Sequence, residues 1–249
     1  MRLSLVDEPA QSPPAGAEGA PPGLFRRVAR RYDLLNRLIS FGQDRRWRRK
    51  AAAACLSAQG QDVLDVGTGT ADQLLALHKL FPTSTRLVGL DSEKEMLWRA
   101  KQKLARTPNA HFFSLCRADA LHLPFRDGVF GAVTMAFAIR NFGNRQQALA
   151  EVRRVLTPDG LLVILEASIP QRKLFRTLFT IYCRHLMPAI AGSLTGQRAA
   201  YRYLYDSILS FPPPPELCLL LSQAGFRVGK VLSLGFGAAR LFTASPQRG

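Results

Sequence analysis

The sequence predicts an α/β fold, in which a mostly parallel, doubly wound sheet carries helices on both faces. Short apolar runs typical of buried strands alternate along the chain with helical segments of amphipathic pattern. The first of these runs ends in a glycine cluster, as it does in sheets that bind ligands at their strand ends. With 249 residues, of which 47% are hydrophobic, the chain is long enough for one such domain with a full core.

Two kinds of segment precede the first strand. Residues 7–23 are dominated by proline, alanine and glycine, and from this composition we predict a disordered leader over 1–23, before a domain spanning 24–249. Over 24–54, apolar residues recur near helical spacing with arginines between them, which predicts two short helices meeting around residues 40–43.

The alternation that defines the sheet then follows in order. The predicted strands are 62–66, 86–90, 110–117, 129–136 and 161–166, and the predicted helices are 72–80, 94–105 and 145–156, with a turn at 157–160. Residues 171–215 interrupt the pattern with a helical, basic and aromatic segment, which we interpret as an inserted lid. A helix at 216–224 and two runs at 227–234 and 239–244 predict a terminal antiparallel hairpin.

Charge and cysteine content restrict the partners and the compartment. Lys and Arg number 34 against 18 Asp and Glu, a net charge of +16 that favours an anionic partner, either nucleic acid or acidic lipid. The four cysteines form no CxxC pair, which disfavours a zinc site or a disulfide framework and favours a reducing cytoplasm. The sequence contains no uncharged apolar run of about 18 residues, so we predict no membrane-spanning helix.

The glycine cluster predicts a nucleotide-type cofactor site. Gly67 and Gly69 follow Asp65 at the end of the first strand and allow backbone amides to approach a ligand. Dinucleotide sites place a third glycine where this chain has Asp72, and a carboxylate there would repel pyrophosphate. An acidic group suits the ammonium of a methionine moiety, so the loop favours S-adenosylmethionine over NAD.

Acidic residues at the next two strand ends extend this site. Asp91 ends the second strand, about 20 residues after the glycines, where a carboxylate accepts ribose hydroxyls. Asp119 and Ala120 follow the third strand, in place to meet an adenine ring with a carboxylate and a backbone amide. The alternative is that the glycines only form a tight turn and the acids cap helices or turns.

Three stretches of sequence carry a resemblance to a known family. They are residues 25–36 (FRRVARRYDLLN) with Ser40, Gly42 and Trp47; Arg140 with Asn141; and residues 201–204 (YRYL) with Ser207 and Ile208. After the leader, the chain resembles the ubiquinone/menaquinone biosynthesis C-methyltransferases, which are class I S-adenosylmethionine-dependent methyltransferases with a Rossmann-like sheet. The resemblance implies ring C-methylation of a polyprenyl quinol in menaquinone or ubiquinone biosynthesis, without a metal.

The resemblance also assigns site residues. Thr70, Asp91, Asp119 and Ala120 fall on the family's cofactor-contacting positions, and Ala136 stands where a cofactor-contacting serine is common. The family loop usually reads GGTGD where this chain has TGTAD at 68–72, and an aromatic residue is common at the position of Ala167.

Methylation of a ring carbon requires phenolate character in the quinol, in-line positioning and exclusion of water. We expect Arg140, Asn141 and Tyr32 to orient the substrate and handle its proton. Arg140 suits stabilisation of an oxyanion or orientation of a water, because a guanidinium stays protonated. The alternative is that Arg140 and Asn141 cap the next helix and that Tyr32 is a core aromatic.

The segment 172–187 places Leu174, Leu178, Ile181 and Leu186 near one helical face, with arginines elsewhere. It predicts a lid at a membrane interface, and the alternative is an ordinary amphipathic helix packed on the core. We therefore expect a cytoplasmic protein, peripherally bound to the anionic inner face of the membrane, in part through arginines near the N-terminus. These are Arg26, Arg27, Arg30, Arg31, Arg45, Arg46, Arg48 and Arg49.

Two other classes of protein remain as alternatives. A nucleic-acid methyltransferase would explain the charge, but the chain has no NPPY-type tetrapeptide, catalytic PC motif or attached binding module, so we expect no nucleic-acid partner. A noncatalytic protein with a cofactor fold could use its basic surface as a scaffold. A homodimer is compatible with the sequence.

Overall fold

The computed structural model describes residues 5–7, 29, 32–58, 61–81, 85–186 and 198–247. The strands within these residues are β1 (Leu5–Asp7), β2 (Val63–Val66), β3 (Leu87–Asp91), β4 (Phe113–Arg117), β5 (Phe130–Ala136), β6 (Leu156–Ala167), β7 (Phe226–Leu234) and β8 (Ala239–Pro246). They form one sheet in the order β1-β4-β3-β2-β5-β6-β8-β7.

The helices lie before, between and after these strands. They are α1 (Tyr32–Ile39), α2 (Asp44–Ala54), α3 (Asp72–His78), α4 (Lys94–Leu104), α5 (Arg145–Val155), α6 (Lys173–Ile181), α7 (Arg198–Leu209) and α8 (Pro214–Gln223). The two helices predicted before the first strand are α1 and α2, which are separated by a turn at residues 40–43.

Strand directions confirm the predicted fold class. Strands β2 to β6 run parallel to one another. Strand β8 is antiparallel to both β6 and β7. The predicted C-terminal hairpin is therefore present, with its second strand inserted against the parallel part of the sheet. Because the strands are parallel, the ends of β2, β3, β4 and β5 meet at one edge, where open α/β sheets bind ligands.

The sheet buries side chains on both faces, as a doubly wound fold requires. One face packs Leu64, Leu90 and Val133 against α5 and α8. The other face packs the neighbouring strand residues, such as Val63 and Leu87, against α2, α3 and α4. The alternation follows from the two-residue period of a strand and leaves both faces covered.

Two details differ from the prediction. The structure describes only Leu5–Asp7 of the predicted leader, and these residues pair in parallel with β4 as an edge strand; the rest of 1–23 lies outside the described residues. The turn predicted at 157–160 lies inside β6, where the pairing moves from Phe130 with Leu156 to Ala132 with Leu161. The extra residues bulge out of the ladder, so the strand continues across the predicted break.

The predicted insertion at 171–215 follows β6, and its last two residues are the first two of α8. It contains α6, a π-helical turn at Tyr182–Leu186 and α7, while residues 187–197 lie outside the described part. Within the described residues, no helix combines the length and the apolar character needed to cross a bilayer.

Candidate active site

The loop after β2 is held by backbone hydrogen bonds to the end of β3. The amides of Gly67 and Thr68 donate to the carbonyl of Leu90 at 2.8 and 2.9 Å. Gly67 and Gly69 have positive φ values of 72° and 54°, a region that glycine enters without a steric penalty. A Cβ on Gly67 would also lie 2.5 Å from the Cβ of Ala138, so the loop can approach the next strand end only with glycine there.

Asp91 joins this loop to the end of β3. Its Oδ2 accepts a hydrogen bond from the Gly69 amide at 2.8 Å, and its Oδ1 accepts one from the Glu93 amide at 2.9 Å. Burial raises the pKa of the Asp91 carboxyl to about 6, which leaves it largely ionised at neutral pH. Each oxygen keeps acceptor capacity for a ligand hydroxyl.

Asp65 lies beneath the same loop and is 1% exposed. Its Oδ1 accepts a hydrogen bond from the Thr134 hydroxyl at 2.7 Å, whereas its Oδ2 accepts none from the described residues. Burial raises the pKa of this carboxyl to about 6. A buried acceptor without a donor is unfavourable, and a bound ligand would remove that penalty.

The other predicted cofactor residues lie at the ends of β4 and β5. Asp119 Oδ1 accepts a hydrogen bond from the Leu121 amide at 3.0 Å, and Ala120 and Ala136 are buried. The strand ends thus bring Asp65, Asp91, Asp119 and the glycine loop to one edge of the sheet. Backbone amides free of Cβ atoms and carboxylates with open acceptor capacity fit a nucleoside that carries hydroxyl and ammonium groups.

The side chains of Thr70 and Asp72 bind charged residues of two neighbouring helices. The Thr70 hydroxyl donates to Asp33 in α1 and accepts from Lys103 Nζ at 3.1 Å. Asp72 pairs with the same Lys103 at 2.8 Å, so its cationic partner is a residue of α4. Because Lys103 also pairs with Asp33, this cluster ties α1 to the glycine loop.

A cavity of about 360 Å³ adjoins this edge of the sheet, on the face that carries α2. Its wall includes Phe137 and Arg140 from the segment after β5, Trp47 from α2, and Leu204 and Ile208 from α7. Phe137 immediately precedes Ala138, the residue closest to Gly67. The cavity is largely apolar and begins beside the glycine loop. Ala167 is also part of its wall.

Arg140 lies in this wall as one member of a buried ion pair. Its guanidinium bonds Glu166 at 2.5 Å and donates to the carbonyl of Phe137 at 2.8 Å. Arg140 is 7% exposed and Glu166 is fully buried. The pair is neutral overall, but the Arg140 guanidinium borders the apolar cavity, where its N–H groups can donate to an oxyanion.

Asn141 is connected to the helical insertion. Its side-chain Oδ1 accepts a hydrogen bond from the Tyr203 hydroxyl of α7 at 3.1 Å. Burial raises the pKa of Tyr203, which keeps this hydroxyl protonated as a donor. The third predicted catalytic residue, Tyr32, begins α1, and its side chain lies outside the described part of the structure.

Two residues of this cluster were missed as participants by sequence reasoning. Glu166 was interpreted as the last residue of a buried strand. A carboxylate in an otherwise apolar run was the feature that could have marked it as a functional residue. Tyr203 lay in one of the family-like stretches, but nothing in its spacing connected it to Asn141, 62 residues earlier.

The cavity mouth is bordered by exposed apolar side chains. Phe41 and Phe236, both in the cavity wall, are each 75% exposed. Leu174, Leu178, Ile181 and Leu186 are also exposed, so the interpretation of α6 as a helix whose apolar face packs on the core is wrong. Exposed Arg45, Arg46 and Arg49 lie on α2, and exposed Arg176 lies on α6. Arg48, predicted as part of the basic surface, is instead buried over the Phe137 ring at 5.1 Å.

Comparisons with known proteins agree with this geometry. The ubiquinone/menaquinone biosynthesis C-methyltransferase UbiE of Geobacter sulfurreducens is 42% identical over 220 residues, covering 88% of this chain and 86% of that protein. The demethylmenaquinone methyltransferase of Deinococcus radiodurans is 43% identical over 219 residues, covering 88% and 89%.

A solved structure described as a SAM-dependent methyltransferase from Aquifex aeolicus shares the fold. It superposes with a TM-score of 0.55 at 22% identity, covering 78% of this chain and 88% of that one. The model of the ubiE/COQ5 methyltransferase family matches residues 19–245. The resemblance seen in the sequence is thus confirmed, and this chain belongs to the ubiE/COQ5 methyltransferase family.

Proposed function

We propose that this protein transfers the methyl group of S-adenosylmethionine to a ring carbon of a polyprenyl quinol in menaquinone or ubiquinone biosynthesis. The observation that carries the proposal is the cavity that begins at Phe137 beside the glycine loop and is bordered by Arg140. A planar apolar ring placed there would lie next to the cofactor, out of contact with bulk water. The relatives' names, which specify quinone C-methylation and demethylmenaquinone, support this substrate class.

The strand-end residues would hold the cofactor. Asp91 would accept the ribose hydroxyls, Asp119 and Ala120 would contact the adenine, and Asp65, Gly67, Gly69 and Thr70 would surround the methionine portion, with Ala136 closing the β5 side. When bound, S-adenosylmethionine supplies an electrophilic methyl group on a sulfonium. The protein's own contribution is binding, orientation and exclusion of water.

Arg140 would stabilise the quinol oxyanion that makes the ring carbon nucleophilic. Glu166 fixes the guanidinium, and the low polarity of the cavity strengthens its attraction to a phenolate. Asn141, oriented by Tyr203, would hydrogen-bond the second ring oxygen. Tyr32 would contact the ring from α1.

We further propose that the insertion at 171–215 is a lid, and that the cavity mouth rests on the anionic inner face of the cytoplasmic membrane. Exposed aromatic and aliphatic side chains surround the mouth, with exposed arginines beside them. A polyprenyl tail could then stay in lipid while the ring enters the cavity. The net charge of +16 suits an anionic surface.

The test is an assay of the purified protein with methyl-labelled S-adenosylmethionine and two reduced substrates. A prenylated demethylnaphthoquinol and the corresponding benzoquinol are presented in detergent, and mass spectrometry locates the label. The proposal predicts one labelled methyl group on a ring carbon of at least one quinol. Label on oxygen, or no transfer to either quinol by a protein that binds the cofactor, would overturn it.

A further inference from the structure

Asp44, a residue that sequence reasoning did not single out, lies in the wall of the cavity at the start of α2. It is 2% exposed, although it is a carboxylate. Its Oδ1 accepts a hydrogen bond from the Ser40 hydroxyl at 3.0 Å, and its amide donates to the same hydroxyl oxygen at 3.2 Å. This exchange fixes the side chain at the turn between α1 and α2.

No described residue donates a hydrogen bond to the second carboxylate oxygen of Asp44, Oδ2, which is enclosed. A charged residue that only stabilises the start of a helix is effective from the surface, where water satisfies its free oxygen. A buried oxygen without a partner destabilises the folded protein by about 1–3 kcal/mol. A ligand that donates a hydroxyl group to Oδ2 would remove this cost.

The other ionisable groups in the described part of the cavity wall are poor proton acceptors at neutral pH. Burial raises the pKa of Cys183 to about 12 and also raises the pKa of Tyr182, so both stay protonated. Arg140 is a cation paired with Glu166. Asp44 is the one carboxylate among the described wall residues.

We propose that Asp44 Oδ2 binds a ring hydroxyl of the quinol and accepts its proton during methyl transfer. This inference rests on the proposed function and names the general base for it. As the O–H bond breaks, its electron pair moves into the ring, the ring carbon forms a bond to the methyl group, and the methyl–sulfur bond breaks. Loss of the proton from that carbon to water returns the electron pair to the ring oxygen and restores the aromatic ring, and this oxygen then takes its proton back from Asp44. The products are the methylated quinol, neutral S-adenosylhomocysteine and one proton.

The test compares Asp44→Asn with Asp127→Asn as the matched control. Asparagine keeps an oxygen for Ser40 but cannot take a proton. Asp127 undergoes the same chemical change at a side chain that is 79% exposed and pairs only with Arg154. We expect Asp44→Asn to lower kcat by about 100-fold or more, the range associated with loss of a general base. Asp127→Asn should match the parent protein.

Four further readouts separate a chemical role from a structural one. Cofactor affinity, measured by calorimetry, and Tm should stay near the parent values in Asp44→Asn. Quinol binding, followed by quenching of Trp47 fluorescence in the cavity wall, should weaken. In Asp44→Ala, added formate should restore part of the lost kcat, because a small carboxylate can occupy the vacated space.

Parent-like kcat in Asp44→Asn would overturn the inference, as would a loss of kcat fully explained by a loss of cofactor binding or of folded protein. A parent protein that binds the cofactor and methylates neither quinol would overturn the proposed function instead. The two failures are therefore distinguishable.

Discussion

At the scale of single residues, the proposed chemistry depends on charges kept in an apolar cavity. Both side chains of the Arg140–Glu166 ion pair are buried. Replacing one of them leaves the charge of the other without a partner. The role of Arg140 in turnover and its role in stability therefore have to be measured separately.

Arg140→Ala is expected to lower turnover with quinol by about 100-fold or more, since the oxyanion loses its cationic partner. Cofactor affinity should stay nearly unchanged. The same variant should lose about 3–5 kcal/mol of unfolding free energy, because Glu166 remains buried and unpaired. Steady-state kinetics, calorimetry with S-adenosylmethionine and urea unfolding measure the three quantities.

The double variant Arg140→Ala with Glu166→Gln serves as the control. Removing both charges should restore much of the stability and none of the turnover. If turnover returned together with stability, Arg140 would have only a structural role.

At the scale of elements, the sequence predicted almost every strand and helix, because hydrophobic periodicity is a local signal. It did not predict β1, since a strand of three residues is too short to show a periodic pattern. The strand-end acids were predictable because parallel strands end at one edge of a sheet. Asp44 and the pair of Asn141 with Tyr203 were not, because both depend on how α2 and α7 pack around the cavity, which no local pattern specifies.

The loop between β2 and α3 carries local strain. Ala71 has a φ of +71°, in the left-handed region that favours glycine. A left-handed backbone costs an alanine about 1–2 kcal/mol. Ala71→Gly relieves this strain, but it enlarges the entropy of the unfolded chain and removes a methyl group that is fully buried in the core. We therefore expect the unfolding free energy to change by less than about 1 kcal/mol. Urea unfolding of the cofactor-free protein checks this, and a loss well above that value would show that the strain at Ala71 is too small to offset the other two effects.

The exposed face of α6 predicts a specific effect on membrane binding. Leu174→Glu should weaken binding to anionic vesicles by about tenfold or more, since it removes an apolar contact and adds a repelled charge. Leu219→Glu is the matched control, because Leu219 is a comparably exposed leucine on α8, which packs on the other face of the sheet.

Co-sedimentation with anionic and with neutral vesicles, at low and at high salt, measures this effect. The control should behave like the parent protein, and both variants should keep the parent Tm. Equal vesicle binding by the two leucine variants would exclude α6 as the membrane contact.

At the scale of the whole molecule, the fold joins two environments along one sheet edge. Carboxylates and glycine amides at the ends of β2, β3 and β4 form a polar cradle, and the segment after β5 leads from it into an apolar cavity. The N-terminal helices and the insertion before α8 build the cavity, and their exposed apolar side chains surround its mouth. The polar cradle suits the cofactor and the apolar cavity suits the proposed quinol ring, which agrees with membership of the ubiE/COQ5 methyltransferase family.

A crystal structure with S-adenosylhomocysteine and a short-chain demethylated quinol tests this arrangement most directly. We expect the ribose on Asp91 and the ring inside the cavity, with one ring oxygen shared by Asp44 and Arg140, the second at Asn141 and the unmethylated carbon facing the sulfur. A quinol bound elsewhere, or a strand-end cradle filled by a nicotinamide nucleotide in place of the nucleoside, would contradict it.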